Sequence, residues 1–301
     1  MSTFSLRTDR NRRTPQTGRT HAVILLPAAV VTLVVVTVVG IAAFLWPLIL
    51  TVHGDDGHAT DAPWIFVLML PLLLAVVATQ LAGGGMDAKA VALLGVLSGV
   101  SALLRPLSGG VTGVQLMFFL LVPAGRVFGP GFGFLLGNVA MFASAALTGG
   151  GGPWLPFQML AAGWIGLGAG LLPRLSGRPE LGMLAGYGFI AGIGYGFVMN
   201  LWFWPFAAGD LGGGSAVAFV AGAPLAENLH RWIAFSTTTS LSFDLPRGVA
   251  TAAAILIVGR PVLLALRRAA RKAAFDAAVE FRPRTTGPAA HPVNSSTGQD
   301  E

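Results

Sequence analysis

The stretch from Ala22 to Leu50 contains no charged residue, and it exceeds the ~20 apolar residues a helix needs to cross the hydrocarbon layer of a bilayer. Lipid suits such a segment better than water, and the rest of the chain repeats the pattern. Of the 301 residues, 54% are hydrophobic and 11% charged, too few charges to clothe a soluble domain of this length. Forty-one glycines and nineteen prolines would suggest disorder in a polar chain. Here they lie inside apolar runs, where close helix packing and helix ends use them. The chain has no cysteine, which removes disulfides, thiol catalysis and thiolate metal sites.

Further apolar runs cover Pro63 to Leu81, Asp87 to Leu107, Val111 to Phe128, Phe132 to Leu147, Trp154 to Leu172, Leu181 to Phe206 and Pro246 to Leu266. Gly/Pro clusters at Gly109-Gly110, Gly129-Pro130 and Gly149 to Pro153 separate the middle ones. Asp210 to Ala223 reads as a Gly-rich loop, and Leu225 to Leu241 as a short, partly polar helix near one surface. The pattern predicts an all-α integral membrane protein of about eight transmembrane helices plus that short helix.

Orientation follows from charge. With the N-terminus inside, sixteen Lys and Arg fall on the inner side, from Arg7 to Arg19 through Lys89, Arg126, Arg174 and Arg178 to Arg260 and beyond. Only Arg105, Arg231 and Arg247 fall outside. The positive-inside rule then places both termini in the cytoplasm and the chain in the plasma membrane. Residues 1–20 read as a basic cytoplasmic anchor in preference to a nucleic-acid-binding arm. The apolar run after them is too long for a cleavable signal. Residues 269–282 extend the last helix with basic side chains, and 283–301 form a polar, Pro-containing disordered tail.

This orientation puts Trp46, Trp64, Trp154, Trp202, Trp204 and Trp232 near the outer surface, with Trp164 mid-span. An aromatic belt at the headgroups is the first reading; rings lining an outward pocket are the second. The loop His53 to His58 reads as solvated, with no metal site.

Several absences narrow the chemistry. No Asp or Glu occurs between Asp87 and Glu180, nor within Leu181 to Phe206 or Pro246 to Leu266. No acid is then expected inside any span, which disfavours a carrier with its own proton relay. Sodium held by backbone carbonyls stays open. No Gly-x-x-x-x-Gly-Lys-[Ser/Thr] loop exists to cradle a nucleotide, and His-Glu-x-x-His and Gly-x-Ser-x-Gly are absent. The chain is not expected to be an enzyme, and a transporter of this composition would draw energy from another subunit.

Small residues recur every fourth position: Ala88 and Ala92, Gly95 and Gly99, Gly133 and Gly137, then Ala162, Gly166 and Gly170, and Gly188, Gly192 and Gly196. Such faces let helix backbones approach in lipid. Internal packing accounts for most; Ala88, Ala92, Gly95 and Gly99 are the best candidates for docking a partner. Few polar residues lie within or near the ends of the shorter spans: Arg105, Gln115, Asn138, Gln158 and Asn200. Arg at the bilayer centre costs about 3 to about 10 kcal/mol, so Arg105 faces protein, water or headgroups. With Trp154 and Trp164, these residues form the candidate pocket for a polar heterocycle.

Four stretches carry a resemblance: Asp87 to Gly95, Ala124 to Phe134, Leu147 to Met159 with its Gly152-Pro153-Trp154-Leu155-Pro156-Phe157-Gln158 run, and Gly259 to Leu263. Residues 87–268 resemble the substrate-binding S component of energy-coupling factor transporters, vitamin-uptake systems related to ABC transporters. The resemblance implies a six-helix S-component-like core, here preceded by two extra N-terminal helices within residues 21–82. It implies an outward site for a vitamin, cobalamin or another micronutrient, and energising partners in a membrane T subunit and two ATPases. It also implies that Ala88 and Ala92, on the first core helix, meet the T subunit. The protein needs no cofactor or metal in this reading, and no nucleic acid. A self-contained secondary carrier and a ligand-free membrane scaffold are the rival expectations.

Overall fold

A computed structural model describes residues 27–49, 86, 88–107, 113–207 and 215–273. The basic N-terminal tail, the expected second span Pro63 to Leu81, the acidic loop before it and the C-terminal tail lie outside the described residues. Every regular element among the described residues is helical: α1 (Pro27–Ile49), α2 (Ala88–Leu107), α3 (Met117–Phe128), α4 (Pro130–Thr148), α5 (Leu155–Leu171), α6 (Arg178–Ala207), α7 (Leu225–Phe235), a π-helical turn (Ser236–Ser240) and α8 (Leu241–Ala273). Five helical stretches are long and apolar enough to cross a membrane, the last being the continuous rod from Leu225 to Lys272. At a rise of ~1.5 Å per residue, the 12 residues of α3 fall short of a ~30 Å hydrocarbon layer. The expected span from Val111 thus becomes a short helix opening at Met117, flanked by the left-handed Gly113 and Gly129.

Glycine decides which helices touch. The tightest pairing is α4 against α5, where a Cβ at Gly133 would strike the Gly166 carbonyl and one at Gly137 would strike that of Ala162. Gly125 of α3 closes on Gly166 as well. The second close pair is α6 against α8, in antiparallel register: Gly188 faces Thr251 and Ile255, Gly192 faces Gly248, and Gly196 faces Asp244. Dispersion over these close backbones, not expulsion of water, holds helices together in lipid. The regular spacing of small residues is therefore internal for these three helices. Gly95 and Gly99 differ: nothing lies within 4 Å of where their Cβ would be.

Around the glycine seams sits a core of large side chains, with Phe118, Phe128, Phe132, Phe134 and Phe157 fully buried. Although α1 is separated in sequence from the helices that follow, it belongs to this core. Its Phe44 is buried edge-on against Phe157 at 4.8 Å, and its Thr37 accepts a hydrogen bond from Trp164 Nε1 at 3.3 Å.

Candidate functional site

The end of the bundle where α2 stops and α5 begins gathers most of the polar side chains singled out in the sequence. Arg105, on the last turn of α2, donates from Nη2 to Gln158 Oε1 on the first turn of α5 at 3.3 Å. Trp154, one turn before Gln158, donates to the Gly150 carbonyl and packs edge-on against Trp202 of α6, with centroids 6.0 Å apart. Trp202 also meets Phe157 and Phe206. Gln115, half-buried in the turn before α3, makes no side-chain hydrogen bond among the described residues.

Asn200 opens a second polar group deeper between α6 and α8. Its Nδ2 donates to Ser240 Oγ at 2.6 Å and Ser236 Oγ at 3.1 Å. Ser240 Oγ donates to Asp244 Oδ2 at 3.0 Å, and Arg247 Nη1 donates to Asp244 Oδ1 at 2.6 Å. Arg247 Nη1 also reaches the Gly192 carbonyl at 3.3 Å, while its guanidinium carbon lies 5.2 Å from the Tyr195 ring centroid, a cation–π contact. Asp244 is 1% exposed and Arg247 7%. Two atoms are left over: the Tyr195 hydroxyl and Arg247 Nε are buried without a hydrogen-bond partner. Tyr195 lies within electrostatic reach of both Arg247 and Arg105.

This overturns the expectation that no acid is buried in a span. Pro246 looks like a helix start, because proline lacks the N–H that a helix interior uses and belongs in the first turn. The helix in fact runs unbroken from Leu225 through the π-helical turn, so Asp244 and Arg247 lie inside it. The hydroxyls of Thr237, Thr238 and Thr239 donate to carbonyls one turn back, at 2.6 to 2.8 Å. Arg247 moves with Asp244 from an outer-surface charge to an interior one. The signal was present in the i, i+3 spacing of the acid and the base, but without the helix it read as two loop charges.

Asn138 and Trp164 go elsewhere. Asn138 is fully buried in α4 against Gly163 of α5, donates to the Phe134 carbonyl at 2.8 Å, and leaves its Oδ1 unpartnered. Trp164 ties α5 to α1. The tryptophans form a packed cap more than a lipid-facing belt. Trp204 is fully buried and donates to the Val217 carbonyl at 2.7 Å, Trp202 is 8% exposed, and Trp46 leans on Phe206 and Phe219. Trp154 alone of these stays open to the exterior, at 37%; Trp64 lies outside the described residues.

The opposite end is basic. Glu180, 1% exposed, accepts from Arg126 Nε at 2.9 Å and from Arg267 Nη2 at 2.6 and 2.7 Å, while Arg126 also caps the Leu172 and Leu175 carbonyls. One carboxylate thus joins α3, α6 and α8. On α2, Ala88, Ala92, Gly95 and Gly99 are all exposed, and Val96, Val100 and Leu103 beside them face outward. No group of three or more His, Asp or Glu that could hold a metal occurs among the described residues.

The fold and these two ends define an all-helical membrane protein with a polar centre near its aromatic end. No family model, curated protein or solved structure matches the chain.

Proposed function

We propose that this chain is the membrane-embedded, substrate-binding subunit of an energy-coupling-factor-type transporter for a vitamin-like molecule, seated in the plasma membrane with both termini cytoplasmic. In this reading it has eight spans, two of them preceding a six-helix core, and it works with a membrane T subunit and two ATPases. The observation that carries the reading is the Arg105–Gln158 contact beside Trp154 and Trp202. A guanidinium and a carboxamide next to aromatic faces suit a planar, polar ligand, offering both hydrogen bonds and stacking. The open, small-residue face of α2 supports a docked partner, and the absence of a nucleotide-binding loop from the sequence supports an external source of energy.

A second reading draws on Asp244. A buried acid in a membrane helix is a common element of ion-coupled carriers, so a self-contained carrier gains an observation that composition did not offer. Asp244 is nevertheless held by both Arg247 and Ser240, which suits a structural ion pair better than a proton relay. Reconstitution separates the two. The isolated chain in liposomes is expected to bind a vitamin from a panel, seen as a thermal shift, yet to show no gradient-driven uptake until ATPase partners are added. Uptake by the chain alone under an ion gradient would replace the first reading with the second.

A further inference from the structure

A cleft of about 450 Å³ opens at the basic end, between the start of α6 and the second half of α8. Gly177, Arg178, Leu181, Arg260, Leu263 and Leu264 line it, together with Glu180 and Arg267. Glu180, its only acid, is already held by Arg126 and Arg267. Arg178 and Arg260 are different: both are exposed, and neither has an ion pair or hydrogen bond among the described residues. Three arginines against one glutamate leave the lining with two positive charges in excess.

The apolar part of the surroundings has a direction. Ile257, Arg260 and Leu264 stand at i, i+3 and i+7 on α8, hence on one face. Ile257 is 77% and Leu264 50% exposed, so a hydrocarbon strip flanks the Arg260 guanidinium on both sides along the helix. α8 belongs to a rod apolar enough to cross a bilayer, which makes that strip lipid-facing. We propose that the cleft binds an anionic phospholipid, its phosphate between Arg178 and Arg260 and its acyl chains over the exposed Leu256 and Ile257, on the side of Arg260 away from the basic end of α8. Guanidinium groups pair with phosphate oxygens in a forked geometry that an ammonium does not offer. The strip favours a lipid over a free phosphate, which has nothing to place on it. This site stands apart from the polar centre and does not rest on the transport reading.

Native mass spectrometry of the purified full-length chain tests the proposal, with phosphatidylglycerol and phosphatidylcholine of matched acyl chains and glycerol 3-phosphate as probes. The wild-type chain is expected to prefer phosphatidylglycerol. R178Q/R260Q is expected to lose roughly thirtyfold in apparent affinity, the sum of two basic side chains near a membrane surface, while R178K/R260K, which keeps the charges and loses the fork, is expected to fall between that variant and wild type. R268Q/R271Q, on the same helix but outside the cleft, is expected to match wild type. Equal losses in both glutamine variants would reduce the effect to diffuse attraction and overturn the proposal. So would displacement of the lipid by an equal concentration of glycerol 3-phosphate, which would make the ligand a small phosphate. A double glutamine variant that binds phosphatidylglycerol as wild type does would overturn it too.

Discussion

The carboxylate of Asp244 occupies the space that a side chain at position 196 would need: a Cβ on Gly196 would meet Asp244 Oδ1 and Oδ2. The same small-residue stripe that lets α6 approach α8 therefore also makes room for a buried ion pair. Gly196→Ala is expected to destabilise the protein by about 3 kcal/mol, at the upper end of overpacking costs. Gly194→Ala, where nothing lies within 4 Å, should be neutral or stabilising by up to ~1 kcal/mol, since alanine is the better helix former. Unfolding of the two variants in detergent gives the comparison.

Asp244→Ala or Arg247→Ala strands a charge in the interior and is expected to cost about 3–5 kcal/mol. A double replacement by leucine should recover most of that loss, because paired burial of charge gains little over an apolar pair. A double variant no more stable than either single one would show that Ser240 and Gly192, which also contact the pair, depend on it.

Gln158→Ala is expected to weaken ligand binding without loss of expression, by about tenfold to a hundredfold if the carboxamide meets a charged group on the ligand. Arg105→Gln should do likewise. Asn138→Ala, placed by its burial in the α4–α5 interface, should lower stability and spare affinity. Isothermal titration with whichever vitamin shifts the melting temperature reads these apart.

Ala88→Leu and Ala92→Leu, on the exposed face of α2, are expected to impair copurification with energising subunits while leaving the ligand-induced thermal shift intact. Parallel loss of both signals would place that face inside the binding unit.

Glu180→Gln removes the one charge that Arg126 and Arg267 share and is expected to cost about 3–5 kcal/mol, read as a lower midpoint in detergent unfolding. Glu227→Gln, whose exposed pair with Arg231 is an i, i+4 contact, should change stability by under ~1 kcal/mol.

The elements whose ends carry glycine or proline were legible in the sequence. Gly129-Pro130 and Gly149 set the bounds of α4 within two residues of the apolar run, and Trp154 and Leu172 bracket α5 as its N- and C-caps. The last rod was not legible, because Pro246 has the local chemistry of a helix start, whereas the helix runs through it from the π-helical turn at Ser236–Ser240. The contact between Arg105 and Gln158 joins residues 53 apart in sequence; composition nominated both, but nothing local could pair them. Asn138 and Trp164 were nominated on the same ground, but Asn138 bonds back within its own helix and Trp164 bonds across to α1, which burial reveals and spacing does not.

Helical residues advance by about 100° each, so the wider π-helical turn at Ser236–Ser240 fixes the azimuth of everything before it. Trp232, which meets Phe197, and the buried Phe235 lie on the segment that this offset orients. Removing Thr238 alone would swing the segment by about that angle and turn these two rings outward, so one residue of spacing acts as the set screw for the aromatic cap.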